Sequence, residues 1–122
     1  MSHHTIAVVD DDPAMRVALT RLLRSLDYDP LLFDSAEDLL AAFDAVRPEC
    51  IVTDVQMPGI NGLDLLRLLR LRRPDLPVIL ITAYPSSSSR DRALASGARA
   101  YLPKPFDADE FERCLATIFA PD

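Results

Sequence analysis

Short runs of valine, isoleucine and leucine alternate along this chain with longer segments whose apolar residues recur at helical spacing. That alternation limits the possible folds more than any other feature. The runs lie at Thr5–Val9, Cys50–Thr53 and Pro77–Ile81, with weaker ones at Pro30–Phe33 and Arg99–Leu102. They lack polar alternation, as expected of strands covered on both faces. Between them, Met15, Ala18, Leu19, Leu22, Leu23 and Leu26 form one helical stripe, and Ala36, Leu39, Leu40 and Phe43 a second. Leu65, Leu66 and Leu69 form a third, and Phe111, Leu115 and Ile118 another. A shorter helix is expected over Ser88–Ser96, stopping at Gly97 in a C′ position. Asp12-Pro13 reads as an N-cap followed by proline at the first helical position. Ser35-x-x-Asp38 and Asp107-x-x-Glu110 resemble capping boxes. Strands alternating with helices predict a (βα)5 unit with a parallel sheet and helices on both faces. Leu63, Leu68 and Leu71 fall off the third stripe and are expected at the surface.

The 122 residues suit one domain spanning 1–122, with an apolar fraction of 49% that can build a core. A net charge of −6 argues against nucleic-acid binding by this unit. No apolar run approaches the ~20 residues needed to span a bilayer, and no signal peptide is visible, so a cytoplasmic protein is expected. Cys50 and Cys114 lack metal-ligand spacing and read as buried free thiols. His3-His4 reads as a solvated N-terminus.

Open parallel α/β sheets bind ligands at the carboxyl ends of their strands. There the chemically distinctive residues collect: Asp10, Asp11 and Asp12 after the first strand, Asp54 after the third, Thr82 after the fourth and Lys104 after the fifth. Lys104 is the single lysine among 13 basic residues; a compact ammonium meets phosphate differently from a guanidinium. Converging carboxylates repel one another unless a cation joins them, and their hard oxygens suit Mg2+. One carboxylate could then act as a nucleophile toward a phosphoryl group, with Lys104 and Thr82 holding the other oxygens. Taken singly, Asp12 reads as a helix cap, Thr82 as a structural strand end and Asp54 as a turn former.

The set Val8-Val9-Asp10-Asp11-Asp12-Pro13, Asp54-Val-Gln-Met-Pro58-Gly59-x-x-Gly62, Ile81-Thr82-Ala83 and Lys104-Pro105 resembles the receiver domain of bacterial two-component response regulators. The resemblance spans essentially the whole chain. It implies a flavodoxin-like three-layer sandwich with strand order 2-1-3-4-5. It also implies that Asp54 is the phosphoacceptor, served by a sensor histidine kinase or phosphotransfer protein. Asp11 would hold Mg2+ directly and Asp10 through water or as a close carboxylate behind it, joined by Asp54 and the backbone carbonyl of Gln56. Thr82 and Lys104 would bind phosphoryl oxygens, Tyr101 would be the switch aromatic, and Lys104-Pro105 would be cis. The implied function is a phosphorylation-dependent switch rather than an enzyme with an external product; it assists only its own phosphotransfer and autodephosphorylation. The implied output face comprises the fourth helix, fifth strand and fifth helix. There Arg90, Arg92, Arg99 and Arg113 with Asp109, Glu110 and Glu112 could pair across a phosphorylation-dependent homodimer.

One departure concerns Tyr84-Pro85, a bulky residue and a φ-locked one in the loop expected to close on the phosphoryl group. It keeps open an alternative, an unphosphorylated receiver-like interaction module. An enzyme on the same fold fits less well. No glycine-rich loop follows the first strand, and Gln56 stands where a phosphatase of this type carries a second aspartate.

Overall fold

The computed structural model describes residues 3–120. The elements follow in the order β1 (Thr5–Val9), α1 (Pro13–Ser25), β2 (Asp29–Phe33), α2 (Ala36–Val46), β3 (Cys50–Asp54), α3 (Gly62–Arg72), β4 (Val78–Thr82), α4 (Ser87–Ala95), β5 (Ala100–Pro103) and α5 (Ala108–Ile118). All strand pairings are parallel, in the order β2-β1-β3-β4-β5, so the expected (βα)5 fold and strand order are observed. Among the described residues, no helix is long and apolar enough to cross a membrane.

The period of two along each strand divides the core into two layers. Ala7, Val9, Ile51, Val78 and Leu80 face α2, α3 and α4, where they meet Leu39, Phe43, Leu66, Leu69 and Ala93. Ile6, Val8, Val52, Ile79 and Ile81 face α1 and α5, against Leu19, Leu23, Phe111 and Leu115. Both faces of β1, β3 and β4 are thus buried, which is why these strands are continuously apolar.

Side-chain caps start every helix. Asp12 accepts from the Ala14 amide, Ser35 from Asp38, and Asp107 from Asp109 and Glu110, as the sequence indicated. Asn61 and Ser86 cap α3 and α4 in the same way. Gly97 takes φ +99° just after α4, a left-handed position that suits glycine.

Several expectations need correction. Leu63 is buried, 8% exposed, because it stands three residues before Leu66 and shares its helix face toward the core. Leu68 and Leu71 are exposed as expected. Ala18 is exposed, at the margin of the α1 stripe. Cys50 is buried, but Cys114 is only half-buried because α5 presents it at the edge of its contact with the sheet. His4 is not simply solvated: its Nδ1 lies 2.6 Å from Glu49 Oε2, and its ring stacks on Phe119 with centroids 4.0 Å apart. Arg92 lines a groove with Met57, Asn61 and Tyr84, on the α3 side of α4 and away from the face holding Arg90 and Tyr101.

Candidate functional site

Parallel pairing brings the carboxyl ends of β1, β3, β4 and β5 to one edge. In register, Val9 stands opposite Thr53, Asp54 opposite Ile81, and Thr82 opposite Pro103. Because β1 is the strand from which the chain winds both ways, its junction with β3 is the topological switch point where such sheets open a crevice. Asp10 follows β1 directly, Asp54 ends β3, Thr82 ends β4, and Lys104 follows β5.

Local hydrogen bonds fix these ends. The Asp10 amide donates to Phe33 O at 3.1 Å, and Arg16 Nη1 donates to Asp10 O at 2.7 Å. The Val55 amide donates to Ile81 O and the Lys104 amide to Thr82 O, at 2.9 and 2.7 Å. The Lys104-Pro105 peptide is cis. Gly62 starts α3 against the end of β3: a Cβ there would lie 2.4 Å from Asp54 O. Only glycine permits this approach, and its amide donates to Val55 O at 2.9 Å.

At the centre, Lys104 Nζ donates to Asp10 Oδ2 and Asp54 Oδ2, both at 3.0 Å. Asp10 and Asp54 are nearly buried, 1% and 7% exposed. Their other oxygens accept backbone amides, Asp10 Oδ1 from Asp12 at 2.9 Å and Asp54 Oδ1 from Gln56 at 3.1 Å. Asp11 is exposed, yet carboxylate oxygens of Asp10, Asp11 and Asp54 lie within 4.8 Å of one another. Asp12 caps α1 and is outside this group.

Burial pushes the Asp54 carboxyl above the usual range; the bond from Lys104 opposes this, while the Asp10 charge adds to it. For Lys104, burial pulls downward, but the bonds and charges of Asp54 and Asp10 outweigh it and hold the ammonium up. Both groups are shifted upward, which disfavours the charged form of Asp54 and favours that of Lys104. The geometry favours a charged Lys104, since two carboxylate oxygens share its protons, and a desolvated Asp54 carboxylate whose negative charge is incompletely compensated. Three hard oxygen donors in this space suit a divalent cation with a preference for carboxylates and water, such as Mg2+.

Thr82 stands beside the group, with its hydroxyl 2.6 Å from Gln56 Oε1 and 3.0 Å from the Tyr84 amide, which donates to it. Tyr101 lies half-buried on β5, and its hydroxyl accepts from the Ser86 amide at 3.3 Å. Tyr84 itself is 74% exposed. The residues singled out from sequence therefore divide in two. Asp10, Asp11, Asp54 and Lys104 form one cluster. Thr82 and Tyr101 attach to the adjoining loop, which follows β4. The side chain of Gln56 escaped sequence reasoning, which assigned that residue only a backbone carbonyl. Nothing in the sequence ties it to Thr82, since their contact exists only once β3 and β4 pair.

Residues 6–116 match the response regulator receiver domain family. The chain belongs to that family. This receiver domain is 39% identical over 110 residues to the DNA-binding transcriptional regulator NtrC of Salmonella typhimurium, covering 90% of the chain and 24% of the relative. It is 43% identical over 123 residues to the response regulator MprA of Mycobacterium sp. strain KMS, covering 96% of the chain and 52% of the relative. A putative response regulator from Chloroflexus aurantiacus has a solved structure with 30% identity and a TM-score of 0.91, covering 98% of this chain and all of that one. The receiver chain thus spans about a quarter of the NtrC relative and about half of the MprA relative. It is a response regulator receiver domain of two-component systems.

Proposed function

We propose that this receiver domain is a switch operated by phosphorylation of Asp54. The observation that carries the reading is the convergence of Asp10, Asp11, Asp54 and Lys104, with Lys104 Nζ 3.0 Å from both buried carboxylates. Asp54 Oδ attacks the phosphorus of a phosphohistidine on a sensor kinase or phosphotransfer protein. A phosphorus–oxygen bond forms, the phosphorus–nitrogen bond breaks, and its electron pair stays on the imidazole. Desolvation supports the attack, because a carboxylate removed from water is a stronger nucleophile than a hydrated one. Lys104 then holds one phosphoryl oxygen as a point charge, and Thr82 donates its hydroxyl to another. Water later attacks the phosphorus of the acyl phosphate; its bond to Asp54 Oδ breaks, inorganic phosphate departs and the Asp54 carboxylate is restored.

Asp10, Asp11, Asp54 and the Gln56 carbonyl would hold Mg2+, which when bound neutralises charge on the phosphoryl oxygens. The half-buried Tyr101 couples the loop after β4 to the face formed by α4, β5 and α5, where Arg90, Tyr101 and Pro103 line a depression. Phosphorylation shifts the population between two packings of that face. The signal passes to a partner, to a fused output domain, or to a second copy of the chain in a phosphorylation-dependent homodimer. The receiver unit spans residues 1–122 and works in the cytoplasm without touching nucleic acid itself. It assists only its own phosphotransfer and dephosphorylation.

The test is intact mass after incubation with a small-molecule phosphodonor and Mg2+. The wild type gains a single phosphoryl group, and Asp54→Asn gains none. An unmodified wild type would leave an interaction module that is never phosphorylated.

A further inference from the structure

The Thr82 hydroxyl has one proton and two lone pairs. Both capacities are already engaged. The proton points to Gln56 Oε1 at 2.6 Å, and a lone pair takes the Tyr84 amide at 3.0 Å. Thr82 is wholly buried, so little water is at hand to replace a lost partner. We propose that the Gln56 side chain competes with the phosphoryl group for the Thr82 proton, and so acts as a positioning residue that holds the loop after β4 in its unphosphorylated arrangement.

This inference rests on the phosphoacceptor reading and deepens it. A phosphoryl oxygen on Asp54 is an acceptor and needs a donor. Thr82 cannot serve it while donating to Gln56, so activation requires the Gln56–Thr82 bond to break. Gln56 is well placed for this role, because its amide donates to Asp54 Oδ1 at 3.1 Å while its side chain engages Thr82. One residue therefore touches both ends of the switch. The consequence extends along the loop. Tyr84 is tied to Thr82 through its amide while its ring lies in solvent, and two residues later the Ser86 amide donates to the Tyr101 hydroxyl. Freeing Thr82 from Gln56 loosens the segment that holds Tyr101. The bulky Tyr84 and the φ-locked Pro85 do not set this equilibrium by filling the site; the Gln56 amide sets it by occupying a donor.

The test is a beryllofluoride titration at saturating Mg2+, with the amide NMR signals of Tyr84 and Ser86 as readout. Gln56 is exposed, so truncating it leaves no core cavity. Gln56→Ala and Gln56→Leu both remove the acceptor, and each is expected to half-saturate at about fivefold lower beryllofluoride than wild type, the net worth of one hydrogen bond. The gain is expected to persist in a Thr82→Ser background, which keeps the hydroxyl, and to vanish in Thr82→Ala. An equal gain in Thr82→Ala, or unchanged or weaker binding in both Gln56 variants, would overturn the competition. Wild-type protein that binds no beryllofluoride would remove the phosphoacceptor reading itself, and this inference with it.

Discussion

Replacing Gly62 by alanine tests how closely α3 is fitted against the strand that carries Asp54. At an open helix position the change would stabilise by up to ~1 kcal/mol, since alanine is the better helix former. Here the added Cβ would lie 2.4 Å from Asp54 O, 2.9 Å from Val55 Cα and 3.0 Å from Asp54 C. None of these atoms belongs to a flexible side chain. Nor can the strand end retreat freely, because the Val55 amide is bonded to Ile81 O and the Gly62 amide to Val55 O, each at 2.9 Å. Overpacking against a yielding core costs about 1–3 kcal/mol, and contact with fixed backbone belongs at the upper end. The expected net loss is ~2–3 kcal/mol, or a fall in Tm of roughly 10 °C for a chain of this size. Urea and thermal unfolding followed by circular dichroism would measure it. Gly59→Ala is the comparison. Its φ of +75° is unfavourable to alanine, but its Cβ meets only the Glu37 carboxylate, which can swing aside. A loss of about 1 kcal/mol is expected there. If Gly62→Ala costs less than about 0.5 kcal/mol, the range of an ordinary surface change, the close approach does not constrain the loop as argued.

Asp11→Ala is expected to abolish Mg2+ binding measured by calorimetry, whereas Asp12→Ala should cost ~1 kcal/mol of stability through loss of the α1 cap and leave the metal site intact; equal loss of Mg2+ affinity would contradict the assignment. The hydrogen bond from His4 holds the Glu49 carboxyl below its ordinary range. Its contribution to stability is therefore complete above the ordinary glutamate value and lost as pH falls through the lowered folded value. Glu49→Gln should be less stable than wild type near neutrality, and the difference should close in acid; a constant gap in urea midpoints across that range would refute the pairing. Burial pushes the Cys50 thiol up to about 12, so a thiol reagent should reach it only on unfolding, while half-buried Cys114 reacts slowly in the native protein; rapid native reaction of Cys50 would show that β3 opens.

The fold was legible because strands covered on both faces must be apolar throughout, and Ile6–Val9, Cys50–Val52 and Val78–Ile81 are. Strand ends were read to within a residue. Asp54 and Thr82 close β3 and β4 rather than follow them, since polar side chains can still pair through their backbones. α4 was weakly written because it buries little beyond Ala93, so its start was read one residue late. The stripe read from sequence begins at Leu65 and so leaves out Leu63, although the three-residue spacing from Leu63 to Leu66 puts both on one helix face. The cluster of Asp10, Asp11, Asp54 and Lys104 was legible from topology, since parallel strands deliver their carboxyl ends to one edge. What sequence could not carry were contacts that exist only after the strands pair: Thr82 with Gln56, Tyr101 with Ser86, and His4 with both Glu49 and Phe119. Each joins residues whose local patterns are independent of one another.

The central claim is that Asp54, and no other carboxylate at this edge, accepts the phosphoryl group. Borohydride reduces an aspartyl phosphate to homoserine, so the modified position can be found by peptide sequencing after phosphorylation with a small phosphodonor and Mg2+. The account predicts homoserine at position 54 alone. Homoserine at position 10, 11 or 12, or none at 54 in protein that carries the added mass, would contradict it.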